Sequence, residues 1–192
     1  MALRYWPGCR TWGRRALAIP LLFALGAGGW AGGIQLTGNV HAVKPNEIYR
    51  SAQINGPKLA GVLDKYGIKT VINLRGEHVG SKWYDDELAV TAKHGVAHID
   101  IRMSAKREPD AVTLQRLMEA LRTARRPLLV HCNSGSDRTG LAAALFTLVV
   151  EERPPSEAAR QLSFWYGHFP WLGSRTVAMD TTFWRVVAAQ SK

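Results

Sequence analysis

At 192 residues the chain is long enough for one ordinary globular domain and too short for two. Its formal net charge of +10 fits nucleic acid, an acidic membrane surface or a phosphorylated substrate. No helix-turn-helix, zinc-finger spacing or aromatic RNA-binding motif accompanies that charge, so nucleic acid is not the expected partner. Two cysteines, Cys9 and Cys132, provide neither a disulfide framework nor a Cys/His metal site, and no metal or cofactor is expected.

The chain opens with a basic tail over residues 1–15, carrying Arg4, Arg10, Arg14 and Arg15. Ala16 to Ile34 then holds no charge at all, the pattern of an uncleaved membrane anchor or a secretory signal. It is about as long as the roughly 20 residues one bilayer crossing needs. Gly29-Trp30-Ala31 is a poor small-x-small cleavage site, which favours a hydrophobic N-terminal helix acting as an anchor over a cleaved signal. Arginines upstream of the apolar segment place the N-terminus in the cytoplasm. The expected topology is therefore single-pass with the rest of the chain outside the cytoplasm, which in a bacterial-type cell means the inner membrane with the following domain in the periplasm; secretion after cleavage is the alternative.

A linker over 35–45 leads into a domain spanning 46–192. Glu47 to Arg50 reads as a short strand, after which Pro57 opens a helix with Leu59, Val62, Leu63 and Tyr66 at helical spacing and Gly67 at its C-terminal cap. Thr70 to Leu74 is a β-branched buried strand. Trp83 to His94 predicts a second helix, Val96 to Met103 a strand, and Ser104 to Asp110 a polar loop. Leu114, Leu117, Met118 and Leu121 mark a third amphipathic helix, and Leu128 to His131 another strand. Leu141 to Val150 is an apolar helix, and two more helices are expected near Ser156 to Trp165 and Met179 to Ala189. Strands alternating with helices imply an α/β fold with a central, mostly parallel sheet flanked by helices.

In such folds ligands bind beyond the C-terminal ends of strands, and that is where His131-Cys132-Asn133-Ser134-Gly135-Ser136-Asp137-Arg138-Thr139-Gly140 falls. A loop between an apolar strand and an apolar helix can wrap a phosphoryl group with the backbone N–H groups of Asn133 to Arg138, the helix N-terminus behind it. Gly135 permits the tight turn. The same positive potential favours the thiolate form of Cys132, the form that attacks phosphorus. Arg138 can clamp two phosphate oxygens through its planar fork, which lysine could not match. Thr139 places a hydroxyl where it can stabilise departing sulfur, and His131 orients the loop by hydrogen bonding.

These residues resemble the HCxxGxxRTG signature of the protein tyrosine and dual-specificity phosphatase superfamily. Ile48 to Gln53, Gly67 to Arg75 and Pro127 to Cys132 are similar to segments of bacterial and plant-fungal atypical dual-specificity phosphatases, so the resemblance covers roughly residues 46 to 150. It implies a cysteine-phosphatase fold, hydrolysis of phosphate monoesters through a phosphocysteine, and a phosphorylated protein or phospholipid as substrate. Tyr166-Gly167-His168 looks like a feature of a bacterial branch, with no mechanism attached.

The leaving oxygen needs a proton. Asp137 gives a Cys-x4-Asp-Arg pattern similar to that of phosphoinositide phosphatases and of bacterial enzymes acting on both lipids and phosphotyrosine, in which this aspartate is assigned as the acid. Asp110 stands where atypical dual-specificity phosphatases also carry an aspartate, but it equally suits a helix N-terminus. Asp137 ranks first, and Asp100 reads as structural. Arg75 and Glu77, at a strand's C-terminal end, either line the pocket and order the loop or form a surface ion pair. Ser136 and Asp137 replace the basic residues of the inositol-pyrophosphate branch, which weakens that substrate class. The competing class of function is a membrane-tethered phosphate-binding module without turnover; an intact Cys132 and Arg138 argue against it.

Overall fold

The computed structural model describes residues 36–190 together with Gly26, Gly28–Trp30 and Gly32–Ile34. Residues 16–25 of the expected anchor lie outside the described residues, as does Cys9, while the described residues between 26 and 37 are helical. Among the described residues no helix is long and apolar enough to cross a membrane.

Five short strands form one sheet: β1 (His41–Lys44), β2 (Ile48–Ser51), β3 (Thr70–Asn73), β4 (Ala97–Asp100) and β5 (Leu128–His131), in the order β1-β2-β5-β3-β4. β1 pairs antiparallel with β2, and the other three pairings are parallel. β1 lies inside the stretch expected to be linker, because His41 and Ala42 register with Arg50 and Tyr49 and extend the sheet edge. β4 is shorter than the expected strand, ending at Asp100, and the residues after it turn toward the site.

The three inner strands β2, β5 and β3 are buried on both faces, as a parallel sheet requires. Ile48, Ile72, Leu128 and Val130 face a core completed by Leu117, Leu121, Leu141, Phe146, Met179 and Phe183. The alternate residues Tyr49, Val71 and Leu129 face a second core with Leu59, Leu63 and Ile68. The helices α1 (Gly56–Tyr66) and α2 (Lys82–Lys93) lie on the second side; α3 (Ala111–Thr123) and α4 (Asp137–Leu145, continued by a π turn Phe146–Val150) lie on the first. Local signals set the helix ends. Asn55 caps α1 by accepting the N–H of Lys58, and Gly67 closes it in the left-handed conformation at φ 60°.

The C-terminal region differs from expectation. Instead of one helix near Ser156 to Trp165 there is a single turn, α5 (Pro155–Ala158), followed by 3₁₀ turns Ala159–Gln161 and Phe164–Tyr166. This broken path lets Gln161, Tyr166 and His168 reach back under the Cys132 loop. The last helix, α6 (Val177–Gln190), docks Met179, Phe183 and Val186 into the first core.

Parallel register brings three strand ends to one level. Ser51 and Asn73 both stand opposite His131. Ala52-Gln53, Cys132-Asn133 and Leu74-Arg75 therefore leave the sheet side by side, at the edge where ligands bind in open α/β sheets.

Candidate active site

The loop from Cys132 to Arg138 is shaped by what holds its carbonyl oxygens. Asn133 O accepts from the backbone N–H of Gln53 at 3.1 Å, and Ser134 O from Asn39 Nδ2 at 3.1 Å. Gly135 O and Ser136 O both accept from Arg50 Nη2, at 2.9 and 3.4 Å. In a planar trans peptide the N–H points opposite to the C=O. Drawing these four carbonyls outward thus turns the N–H groups of Ser134, Gly135, Ser136 and Asp137 to the other side. Among the described residues, none of the N–H groups from Asn133 to Arg138 donates to a protein acceptor. A convergent set of free donors ahead of a helix N-terminus is an oxyanion cradle.

Gly135 makes the fit possible. Its φ of +72° suits glycine, and a Cβ there would lie 2.7 Å from the Ser51 carbonyl carbon and the Ala52 nitrogen. Cys132 sits buried at the base of the loop with no disulfide partner among the described residues.

Arg138 is aimed by main-chain carbonyls. Its Nη1 donates to Leu74 O at 3.3 Å and Met103 O at 3.2 Å, at the ends of the segments that follow β3 and β4. Among the described residues the opposite edge, Nε with Nη2, is left open, and Nε is buried without a partner. That edge is the two-donor fork that clamps two phosphate oxygens. The Thr139 hydroxyl is likewise buried without a partner.

Beneath the loop lies Arg50, fully buried on β2. Besides the two loop carbonyls it donates to Gln161 O and Gln161 Oε1, both at 2.8 Å, and its guanidinium lies 3.8 Å from the Tyr166 ring centroid. Burial lowers its pKa to about 10, opposed by Tyr166 and Cys132, so it stays cationic at neutral pH. Gly167 closes the back of the loop; a Cβ there would meet Ser136 Oγ at 2.7 Å.

A second buried hub orients His131. Its Nε2 donates to Glu87 Oε1 at 3.0 Å, an oxygen that also accepts from His98 Nε2 at 2.8 Å, while Gln53 Nε2 donates to Glu87 Oε2 at 2.9 Å. Burial opposes ionisation of Glu87, but the hydrogen bonds from His131, His98 and Gln53 hold its carboxyl well below the usual carboxylate range. Asp100 has the structural part expected of it. It accepts from Tyr84 Oη at 2.6 Å and Asn73 Nδ2 at 2.8 Å, and Asn73 in turn fixes the turn that carries Arg75. Arg75 stacks 3.6 Å from the Trp83 ring centroid and reaches Gln53 Oε1 at 3.4 Å. Its pKa is lowered, by burial first and then by the charge of Arg138, which puts it at the rim of the site.

Glu77 is not part of this assembly. It is exposed, and its main-chain oxygen is what accepts from Arg102. Asp110 caps α3, accepting the Thr113 N–H at 2.7 Å, and that bond lowers its pKa. Asp137 lies in the first turn of α4 and is bonded to His168, whose Nδ1 donates to Asp137 Oδ1 at 2.7 Å and whose Nε2 donates to Asp180 Oδ2 at 2.8 Å. His168 is fully buried. Burial disfavours its charge, yet the bonds to Asp137 and Asp180 win and raise its pKa to about 9.

Arg50, Glu87, Asn39, His168 and Asp180 escaped sequence reasoning. Arg50 and Glu87 left a readable trace: a charge inside an apolar strand, and an acid on the Tyr84-Glu87-Thr91 stripe that α2 buries. A cleft of about 630 Å³ lined by Lys44, Glu151, Arg153, Glu157 and Arg160 includes none of the phosphate-loop residues.

An oxyanion cradle with a buried cysteine at its base and a forked arginine at its rim, on a central mixed sheet flanked by helices, defines a fold and site of the cysteine-phosphatase kind. A model of the tyrosine phosphatase family matches residues 31–154, and the chain belongs to that family. It is 32% identical over 124 residues to the dual specificity protein phosphatase TpbA of Pseudomonas aeruginosa strain UCBPP-PA14, a match covering 64% of this chain and 52% of the relative. The chain thus spans about half the length of that relative. The crystal structure of P. aeruginosa TpbA superposes with a TM-score of 0.59 at 21% identity, over 81% of this chain and 92% of that one. A cysteine-to-serine variant of TpbA in complex with phosphotyrosine gives 0.56 at 22% identity, over 79% and 91%. The catalytic core of the PP-IP phosphatase SIW14 of S. cerevisiae gives 0.58 at 18%, over 80% and 93%.

Two consequences are measurable. Replacing Arg50 by Met leaves buried carbonyls without donors, and urea unfolding should show a loss of roughly 3 kcal/mol. Inorganic phosphate, used as a competitive inhibitor, should bind at least about tenfold more weakly because the cradle loses its frame. His168, with its pKa raised from 6.5 to about 9, contributes stability that is complete below pH 6.5 and is lost as pH rises through 9. The ceiling on that contribution is about 3 kcal/mol. The melting temperature of the wild type should therefore fall by several degrees between pH 6.5 and 9.5, and that of His168→Gln should fall less.

Proposed function

We propose that this chain is a cysteine-dependent phosphatase that hydrolyses phosphate monoesters, phosphotyrosine in proteins first among them, through a phosphocysteine intermediate. The observation that carries the reading is the orientation of the loop: four carbonyls tied outward and the N–H groups left free around Cys132. In the first step the Cys132 thiolate attacks phosphorus, an S–P bond forms, and the ester P–O bond breaks as the leaving oxygen takes a proton from an aspartic acid. The loop N–H groups and the Nε–Nη2 edge of Arg138 hold the equatorial oxygens, where charge spreads in the transition state. In the second step water attacks the phosphocysteine and gives a proton to the aspartate that protonated the leaving group, the S–P bond breaks with its electron pair returning to the Cys132 thiolate, and inorganic phosphate leaves. The unpartnered Thr139 hydroxyl supports the departing sulfur.

Asp137 is the proton donor in this reading, because it stands one residue before Arg138 and needs no loop to close over the substrate. Asp110 is occupied in capping α3. Phosphotyrosine is supported by the family and by the fold shared with the TpbA–phosphotyrosine complex. A lipid phosphate is the second reading, favoured by the exposed aromatic and aliphatic side chains Trp165, Trp171 and Leu172 in the segment next to the site. Residues 16–34, with the arginines upstream, support an inner-membrane anchor with the catalytic domain outside the cytoplasm.

Turnover of an aryl phosphate should vanish in Cys132→Ser, survive chelators, and fall by most of its value in Arg138→Lys, where the charge stays but the fork is lost. Metal-dependent activity, or activity in Cys132→Ser, contradicts the mechanism. Asp137→Asn should slow alkyl phosphates by about 10²–10⁴-fold while sparing nitrophenyl phosphate, whose leaving group needs little protonation. The opposite assignment follows if Asp110→Asn shows that selectivity instead. A phosphotyrosyl peptide should be hydrolysed faster than a phosphoinositide in mixed micelles; the reverse order supports the lipid reading. A C-terminal reporter that works only in the cytoplasm should stay dark, and a bright signal reverses the orientation.

A further inference from the structure

His168 lies beyond residue 154, where the family match ends, and it connects two parts of the molecule that the mechanism above treats separately. It is completely buried, 2.7 Å from a carboxylate oxygen of Asp137 on α4 and 2.8 Å from one of Asp180 on α6. A buried imidazole between two ionised carboxylates satisfies both ring nitrogens only when both carry hydrogen, so with Asp137 and Asp180 ionised the arrangement calls for the imidazolium. The backbone is bent to suit. Gly167, left-handed at φ +84°, turns the chain out of the Phe164–Tyr166 3₁₀ turn, and the His168 N–H donates to Ser163 O at 3.2 Å. Asp180 is in the first turn of α6, whose Met179 and Phe183 are fully buried in the core. The clamp is thus fixed at one end to the core and at the other to the residue before Arg138.

We propose that His168 is a positioning residue for the phosphatase reaction: clamped by Asp180, it fixes the rotamer and the charge state of the Asp137 carboxyl, and so makes α6 part of the catalytic unit. The inference rests on the proposed function and deepens it. One oxygen of Asp137 is taken by His168; the other remains for the bridging oxygen of the substrate. The His168 imidazolium places a positive charge directly beside the Asp137 carboxyl. The charged groups facing His168 are Asp137 and Asp180; Arg50, on the far side of the loop, is packed on the Tyr166 ring.

The test is the pH profile of kcat on a phosphate ester with a poor leaving group, in the full-length protein. The limb that disappears in Asp137→Asn is the Asp137 limb. In His168→Gln, which keeps a side-chain donor but no charge, that limb should move up by at least about one pH unit, because an adjacent cation shifts a carboxyl by roughly 1–3 units. Asp180→Asn should move it the same way by less, because His168 then loses its proton at lower pH. A loss of kcat or of melting temperature with the limb unmoved in both variants would mean that the clamp is only structural, and would overturn the proposal. So would an Asp137→Asn enzyme with the wild-type profile.

A turnover-independent readout separates this failure from failure of the phosphatase reading. In Cys132→Ser protein, nitrogen NMR of the His168 imidazole should show both nitrogens protonated at pH 7 and titration near pH 9, falling toward the ordinary value in Asp180→Asn. Titration near 6.5 in the unaltered clamp refutes it whether or not the enzyme turns over. If His168→Gln does not fold, Asp180→Asn carries both measurements.

Discussion

Everything at the active end of this molecule depends on Arg50. A guanidinium taken wholly out of water needs acceptors for its donors, and here Nη1 and Nη2 find them in the Gly135 and Ser136 carbonyls of the phosphate loop and in the main-chain and side-chain oxygens of Gln161 in the C-terminal region, while Nε has no partner among the described residues. The dependence runs both ways. Without those carbonyls Arg50 would be a stranded charge, and without Arg50 the loop carbonyls would be free to turn inward and compete with the N–H groups for the cradle. The buried cation also stands within electrostatic reach of Cys132.

The rest of the site is levelled against this frame by strand register. β2, β5 and β3 end together, so Gln53, Asn133 and Leu74 can each bond across to the neighbouring segment. Glu87 ties His131, His98 and Gln53 together, while the Asp100 network sets the turn that places Arg75 beside Arg138. Glu87 is a buried charge and Asp100 a half-buried one, each with several donors, the condition under which buried polar groups specify one arrangement instead of many.

Local signals made much of this legible in the sequence. The strand Leu128–His131 followed by the loop and an apolar helix needed only hydrophobic pattern and one glycine, and Asn55, Pro57 and Gly67 marked α1. Non-local interactions were silent. The edge strand β1 is polar and half exposed, so nothing in His41–Lys44 distinguished it from a linker until β2 paired with it. The segment after Pro155 carries helical spacing, yet it breaks into short turns because Gln161 and Tyr166 are drawn to Arg50, more than a hundred residues away in sequence. Tyr166-Gly167-His168 stood out in the sequence without a role and Asp180 did not stand out at all, since their meaning lies in a contact made through the folded core.

The outward carbonyls have a consequence for solvent exchange. Backbone amides normally resist exchange because a hydrogen bond must open first, and fast exchange is commonly taken for motion. In this loop the two are uncoupled: the amides of Ser134 to Asp137 have no acceptor among the described residues, while the peptide planes that carry them are pinned from behind by Arg50, Asn39 and Gln53. They are rigid and yet unprotected. Rapid deuterium uptake at these four positions therefore reports an open oxyanion seat and not a flexible loop, and its slowing measures how fully that seat is filled.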